Sequence, residues 1–102
     1  MATVQRESCE FGVVACQLAV IEGPDMGRAC ALGAGVYTVG TERDCALVLT
    51  DTRVSRKHLA VERRDDGHFV ARDLGSRNGT LYEGSKLTEA VLSVGATLKL
   101  GH

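Results

Sequence analysis

Two short segments hold most of the residues able to do chemistry. Residues 51–62 read DTRVSRKHLAVE and residues 72–84 read RDLGSRNGTLYEG. The first packs Arg53, Ser55, Arg56, Lys57 and His58 into six positions, and the second adds Arg77, Asn78 and Gly79. Guanidinium forks, a hydroxyl and free backbone N–H groups are the donors that an oxyanion such as phosphate prefers. Asn78 carries an amide that both donates and accepts, which suits gripping a peptide backbone. Gly79 permits a sharp turn beside it. If the two loops meet at one end of a domain they form a small basic pocket, tempered by Asp51 and Asp73. Such a pocket suits a phosphorylated side chain on an extended peptide. Against this stands the bland reading: charged loops are usually solvated turns, an Asn-Gly pair is usually a hairpin turn, and a lone histidine beside a strand, like His58, is usually a hydrogen-bonded structural residue.

Other chemistries lack their parts. The serine of GSRNG is not a nucleophile elbow, which needs a strand-to-helix turn with Asp and His partners. VSRKHL has no second histidine four residues away, so it is not a metalloprotease motif. The histidines at 58, 68 and 102 are scattered, no glycine-rich loop precedes a helix, and Gly33 and Gly35 sit in a β-turn context. Cysteines at 9, 16, 30 and 45 show no two-residue spacing, which argues against a zinc knuckle. Their apolar surroundings read as buried free thiols in a cytoplasmic protein. No catalytic residue set, metal site or cofactor is expected.

The elements that must position the two loops are strands. No window sustains an apolar 3.6 repeat. Short runs rich in Val, Leu, Tyr and Phe alternate with Gly, Asp and Asn turns. Strands are expected at residues 11–16, 17–22, 28–32, 36–39, 46–49, 59–63, 68–73, 80–82, 86–87, 91–92 and 97–100. Asp65-Asp66-Gly67 reads as a tight hairpin turn, and Pro24 falls in the turn EGPD. Some ten short strands at close spacing predict an all-β sandwich. Residues 1–10 are polar and read as a flexible segment, leaving 11–102 as one domain.

Bulk properties agree. The chain has 102 residues, 44% hydrophobic and 25% charged, with a net charge of −1. One domain of this size buries roughly two-thirds of its surface and needs no metal or disulfide staple. A near-neutral balance gives no global reason to expect nucleic acid or a membrane surface as partner. The apolar stretch FGVVACQLAVI is 11 residues long, too short to span a bilayer, and no targeting signal is evident.

VSRKHLAV followed by RDLGSRNGTLYEG resembles the forkhead-associated (FHA) domain, which carries a glycine-arginine pair, a serine-x-x-histidine segment and an asparagine-glycine turn in this order. The likeness runs from about residue 17 to residue 100. It implies an eleven-stranded β-sandwich that recognises phosphothreonine in Thr-phosphorylated partner proteins or peptides through loops at one end. Carried over by position, Ser55 contacts the phosphate and Arg56 assists. Arg77 lies near the phosphate or the next ligand residue, and Asn78 grips the ligand backbone. Gly40, His58 and Gly79 give structural support, His58 bracing the loops without touching ligand. At the first motif the chain departs: Thr41 follows Gly40 where the family has arginine. Losing that donor costs on the order of 1–3 kcal/mol, or roughly 5- to 150-fold in affinity. Thr41 offers a hydroxyl, and Arg43 is two residues out of register.

VIEGPDMGRACAL, then YTVGT and ALVLTDTRVSRKHL, is similar to FHA modules at the N-terminus of bacterial transcriptional activators that work with the alternative sigma factor. That likeness implies a sensory fragment whose DNA, ATP and sigma-factor or RNA polymerase contacts belong to domains absent from this chain. ATLKLGH stops where the family has one more strand, so the last strand is expected to be missing. The apolar FGVVAC segment is expected to cover the edge this exposes, within one molecule or in a homodimer. The alternative function is an FHA-like interaction or oligomerisation module without phosphate dependence.

Overall fold

The structure, a computed structural model, describes residues 2–8, 14–64, 66–92 and 95–101. Among these, eleven strands form two facing sheets. The first sheet contains β1 (Ala2–Ser8), β2 (Val14–Val20), β3 (Ala29–Leu32), β8 (Thr80–Tyr82), β9 (Ser85–Lys86) and β11 (Thr97–Leu100). The second contains β4 (Gly35–Gly40), β5 (Leu47–Val48), β6 (Leu59–Arg63), β7 (Phe69–Asp73) and β10 (Glu89–Leu92). Strand order is β3-β2-β1-β11-β8-β9 in one and β10-β7-β6-β4-β5 in the other. Only β4 and β5 pair in parallel.

The core lies between the sheets and follows from period-2 side-chain alternation. In β11, Leu98 and Leu100 are buried while Thr97 and Lys99 are exposed. In the other sheet, Val61 of β6 sits opposite Ala71 of β7, and both join the apolar cluster with Leu18, Val39, Leu59, Phe69 and Leu92. Fully burying a side chain such as Leu98 stabilises by about 1.5–3 kcal/mol. Turn chemistry sets the hairpin registers. Gly67 has φ 86° in the β6–β7 turn, where Arg64 N–H donates to His68 O. Asp65 lies outside the described residues. Glu83 and Gly84, with φ 52° and 79°, form the two-residue β8–β9 turn; two left-handed residues in succession match the right-handed twist of the strands.

The sequence reading and the structure part company at the N-terminus. Residues 2–8, read as part of a flexible segment, form β1, paired along its full length with β2 from Ala2↔Val20 to Ser8↔Val14. Its start also pairs with β11 through Ala2↔Leu98 and Thr3↔Thr97. The strand beside β11 is therefore the polar ATVQRES and not FGVVAC: residues 11–13 lie outside the described residues, and residues 14–16 extend β2. The two expected strands at 11–16 and 17–22 are one strand. Backbone hydrogen bonding is indifferent to side-chain polarity, so a polar stretch next to a strong strand can complete a sheet that hydropathy does not reveal.

The pairing also gathers the chain ends that matter for function. Val39↔Leu59 and Leu59↔Asp73 bring the end of β4, the start of β6 and the end of β7 into one row. The loops at 41–46, 49–58 and 74–79 all leave from that side. Removing residues 1–8 leaves β2 with β3 alone and β11 with β8 alone, each with one open edge. Each ladder hydrogen bond is worth about 0.5–1.5 kcal/mol net, so the truncated chain should unfold at a clearly lower urea midpoint. An unchanged midpoint would place β1 outside the cooperative unit.

Candidate functional site

The site begins at Gly40, where β4 passes under the 49–58 loop. A Cβ there would stand 2.7 Å from the Arg56 carbonyl carbon and 2.9 Å from Ser55 O, distances that real Cβ atoms essentially never show. The glycine is required by close approach. The contact lets Thr41 N–H donate to Ser55 O at 3.2 Å and Glu42 N–H to Arg56 O at 3.1 Å. The Cys45 thiol, buried beneath, donates to the same Arg56 carbonyl at 3.3 Å. Cys30 and Cys45 are free thiols.

His58 ties the loops together. It is fully buried. Ser55 N–H donates to its Nδ1 at 3.0 Å, and its Nε2 lies 2.8 Å from Gly79 O. Because a backbone N–H can only donate, Nδ1 must be the bare acceptor, so Nε2 carries the proton and donates to Gly79 O. One neutral imidazole thus links the serine loop to the asparagine-glycine turn, where Gly79 has φ 80°. Gly101 N–H also donates to Gly79 O, at 3.0 Å.

Ser55 makes a second bridge, its Oγ accepting Arg77 N–H at 3.0 Å. The hydroxyl proton remains available to a ligand. Asp73 shapes the other loop from within. Its carboxylate accepts Gly75 N–H and Ser76 N–H at 3.0 Å, the Ser76 hydroxyl at 2.6 Å and the buried Thr80 hydroxyl at 2.8 Å. Burial pushes the Asp73 carboxyl up, but the bonds from Ser76 and Thr80 and the nearby His58 outweigh it and hold it below the usual value. Asp73 is therefore committed to its own loop. Asn78 faces the serine loop, its Nδ2 donating to Arg53 O at 2.9 Å.

These loops enclose an open cavity of about 470 Å³ lined by Thr41, Thr52, Arg53, Val54, Ser55, Arg56, Lys57, Gly75, Arg77 and Asn78. It gathers the expected Ser55, Arg56, Arg77, Asn78 and Thr41. Arg43 is exposed and is not in the lining. Gly40, His58 and Gly79 are buried behind the cavity, in supporting positions. Thr52 and Arg53 line it too, and the run of cations before and after Ser55 is the sequence signal that could have included Arg53.

The cations differ in what they face. Asp51 takes the Arg53 guanidinium, and Lys57 Nζ stands 4.0 Å from Asp44 Oδ2. Arg56 and Arg77 make no side-chain hydrogen bond or ion pair among the described residues. The cavity thus presents two uncompensated guanidiniums beside an oriented hydroxyl, the donor set for a doubly charged oxyanion.

Two outcomes test this construction. Gly40→Ala forces the 49–58 loop to shift; overpacking of this kind costs about 1–3 kcal/mol, readable in urea unfolding, with the largest amide shift changes at 55–56. The second concerns pH. Burial lowers the His58 pKa below its ordinary 6.5, outweighing the Gly79 bond and Asp73, which raise it. The unfolded chain therefore binds a proton before the folded one does. His58 contributes stability that is present above pH 6.5 and lost as pH falls through the folded value, because a proton on Nδ1 confronts Ser55 N–H. Stability should decline below pH 6.5, before the carboxylates protonate, and a His58→Gln chain should show a flatter profile over that window.

Comparison with known proteins follows the same lines. Residues 19–102 match the Yop-YscD_cpl family, described as the inner membrane component of T3SS, cytoplasmic domain. The FHA domain-containing protein FhaB of Mycolicibacterium smegmatis is 39% identical over 89 residues, covering 86% of this chain and 57% of FhaB. A structure from a study of phosphothreonine-dependent FHA domain interactions superposes with a TM-score of 0.76 at 32% identity, covering 86% of this chain and 88% of that one. The solution structure of the FHA domain of an Arabidopsis thaliana hypothetical protein gives 0.77 at 34% identity, covering 86% and 78%. The chain thus spans somewhat over half the length of the curated relative. With its sandwich, its three clustered loops and these matches over most of its length, the chain belongs to the forkhead-associated domain family and to the Yop-YscD cytoplasmic-domain family that covers residues 19–102.

Proposed function

We propose that this chain is a phosphothreonine-peptide recognition module, working as the regulatory part of a longer cytoplasmic protein. The observation that carries the reading is Ser55. Its backbone is set by His58 and its Oγ by Arg77 N–H, so its proton points a single donor into a cavity with two unpaired arginines. Arg56 and Arg77 supply charge to the phosphoryl group. Asn78, already turned toward the serine loop by Arg53 O, keeps its amide oxygen for the ligand backbone. The phosphothreonine-dependent interactions of the similar structure support the same chemistry here. Contacts with DNA, ATP, a sigma factor or RNA polymerase, if the longer protein makes them, belong to its other domains.

A second reading has its own observation. Thr41 brings only a hydroxyl to the cavity, so the fold could serve phosphate-independent contacts or pairing with a second copy. One titration separates the two. A degenerate phosphothreonine peptide library and its unphosphorylated counterpart are added to the domain while amide shifts of Ser55, Arg56, Arg77 and Asn78 are followed. Phosphate-dependent, saturable shifts are expected at all four. Ser55→Ala removes a hydrogen bond to a charged group, worth about 1.5–3 kcal/mol, and should weaken phosphopeptide binding roughly 10- to 150-fold. Asn78→Ala should weaken it as well. Equal binding of both libraries would leave the phosphate-independent reading standing.

A further inference from the structure

We infer that the free edge of β3 is the surface on which this chain pairs with a second copy of itself, antiparallel, with Cys30 facing its own counterpart. The inference is independent of the phosphopeptide reading, because no β3 residue lines the main cavity.

The two sheets leave four edges among the described residues: β3, β9, β10 and β5. Open edges are ordinarily guarded by charge, by shortness or by a covering group. β9 is Ser85–Lys86, two residues with an exposed lysine. β10 carries Glu89, which lies 3.9 Å from the Arg72 guanidinium. β5 is again two residues long, and Arg28 Nη1 donates to Val48 O on it at 2.8 Å. β3 has no such guard. Its four residues, Ala29–Leu32, include no charge and no proline, and Ala29 and Ala31 are exposed.

The backbone of β3 decides what can dock there. At its start Gly27, with φ 98°, and Arg28 both oppose Val20. Gly27 N–H donates to Val20 O at 3.0 Å, and Val20 N–H donates to Arg28 O at 2.9 Å. This is a glycine bulge, and it sets the phase of the ladder that follows. Antiparallel pairs alternate between hydrogen-bonded and non-hydrogen-bonded. Counting from the bulge, Ala19↔Ala29 is non-bonded, Leu18↔Cys30 is bonded and Gln17↔Ala31 is non-bonded. Ala29 and Ala31 therefore direct their N–H and C=O groups away from β2, into the open edge.

A second β3 running antiparallel satisfies this pattern in one register. Ala29 opposes Ala31 of the copy and Ala31 opposes its Ala29, each pair exchanging both of its N–H···O bonds. Sliding by two residues in either direction calls on Gly27 or Gly33. Their N–H groups are already given, to Val20 O and, at 2.9 Å, to Tyr37 Oη. In the remaining register no like charges meet, since alanine opposes alanine and cysteine opposes cysteine. Met26, 69% exposed, belongs to the turn that this register sets beside the β3–β4 turn of the copy. The two six-stranded sheets become continuous. Cys30, a half-buried free thiol, forms a non-bonded pair with its counterpart. The Cα–Cα distance of such a pair is about 4.5 Å, inside the roughly 4.4–6.8 Å that a disulfide spans. The thiols thus report the register without being needed for the pairing.

The test is sedimentation equilibrium of the full chain over a range of concentrations, with oxidative cross-linking to read the register. The weight-average mass should rise with concentration. Ala31→Pro removes an outward N–H and spares the ladder to β2, a placement that edge strands tolerate. It should keep the native amide spectrum and hold the chain at monomer mass. Should it fail to fold, Ala29→Glu/Ala31→Glu decides instead, because it sets like charges opposite each other across the pair. Mild oxidation of the full chain should give a covalent dimer that Cys30→Ala abolishes. In the Cys30→Ala background, chains with Ala29→Cys and chains with Ala31→Cys should cross-link when mixed, because these positions oppose. Each alone should cross-link several-fold less, since identical positions are then diagonal neighbours about 7–8 Å apart.

A monomer mass at every concentration overturns the inference. So does a dimer that persists unchanged in the edge variants, or cross-linking by each cysteine variant alone as strong as in the mixture. The phosphothreonine titration should read the same in Ala31→Pro as in the full chain, so the failure of one reading leaves the other standing.

Discussion

The buried His58 imidazole holds this site together by spanning the serine loop and the asparagine-glycine turn, beyond the point where the β6–β7 pairing ends. One nitrogen takes a donor from Ser55 and the other gives one to Gly79, so a single protonation state satisfies both. Everything placed around the cavity inherits that link. The Ser55 hydroxyl can bridge to Arg77 N–H only while the loops are in register. Asn78 reaches Arg53 O only because Gly79 is pinned next to it. Leu74 N–H and Val39 O close on the His58 backbone at 2.9 Å each, which makes the residue a continuation of both neighbouring strands. A side chain with one fixed donor and one fixed acceptor is well suited to this task, since a buried unsatisfied group would cost about 1–3 kcal/mol.

The acidic residues of the same region divide the labour by partner. Asp73 and Asp25 turn inward and spend their oxygens on backbone N–H groups and hydroxyls. Hydrogen bonds of that kind favour the ionised form strongly enough to overcome desolvation, as both residues show. The nearer acid, Asp51, is buried to a similar degree as Asp73 and spends its carboxylate on Arg53. A near-neutral chain can therefore still show an incoming anion a cationic face, because its nearest negative charges are absorbed by the loops they shape.

Local pattern reveals much of this and tertiary context the rest. β6, β8 and β11 match the expected bounds because their alternation is clean and their turns carry Gly or Asp. The cluster of Ser55, Arg56, Arg77 and Asn78 was legible because oxyanion chemistry needs those residue types and the FHA likeness fixes their order. β1 was not legible: ATVQRES has no apolar face to announce it, and its partners lie elsewhere in the chain. Asp73 read as a charge near the pocket, since nothing in LGSRNG says that its own carboxylate would fold the loop. Arg43 and Arg53 are equally basic in the sequence. The folded chain leaves the first out of the cavity lining, and Asp51, Asn78 and Gly101 fix the second.

The pairing of Ala2 with Leu98 bears on how the chain acquires its shape during synthesis. The six-stranded sheet is stitched through its middle by the first and the last of the described strands, so β1 and β2 can form a hairpin early but the sheet cannot close until residue 98 has emerged. Contacts of such long sequence separation make folding slow. Until then the inner edge of β1 stays open to other chains, an exposed edge of the kind that invites mispairing. Its polar side chains are a fitting composition for a strand that must wait.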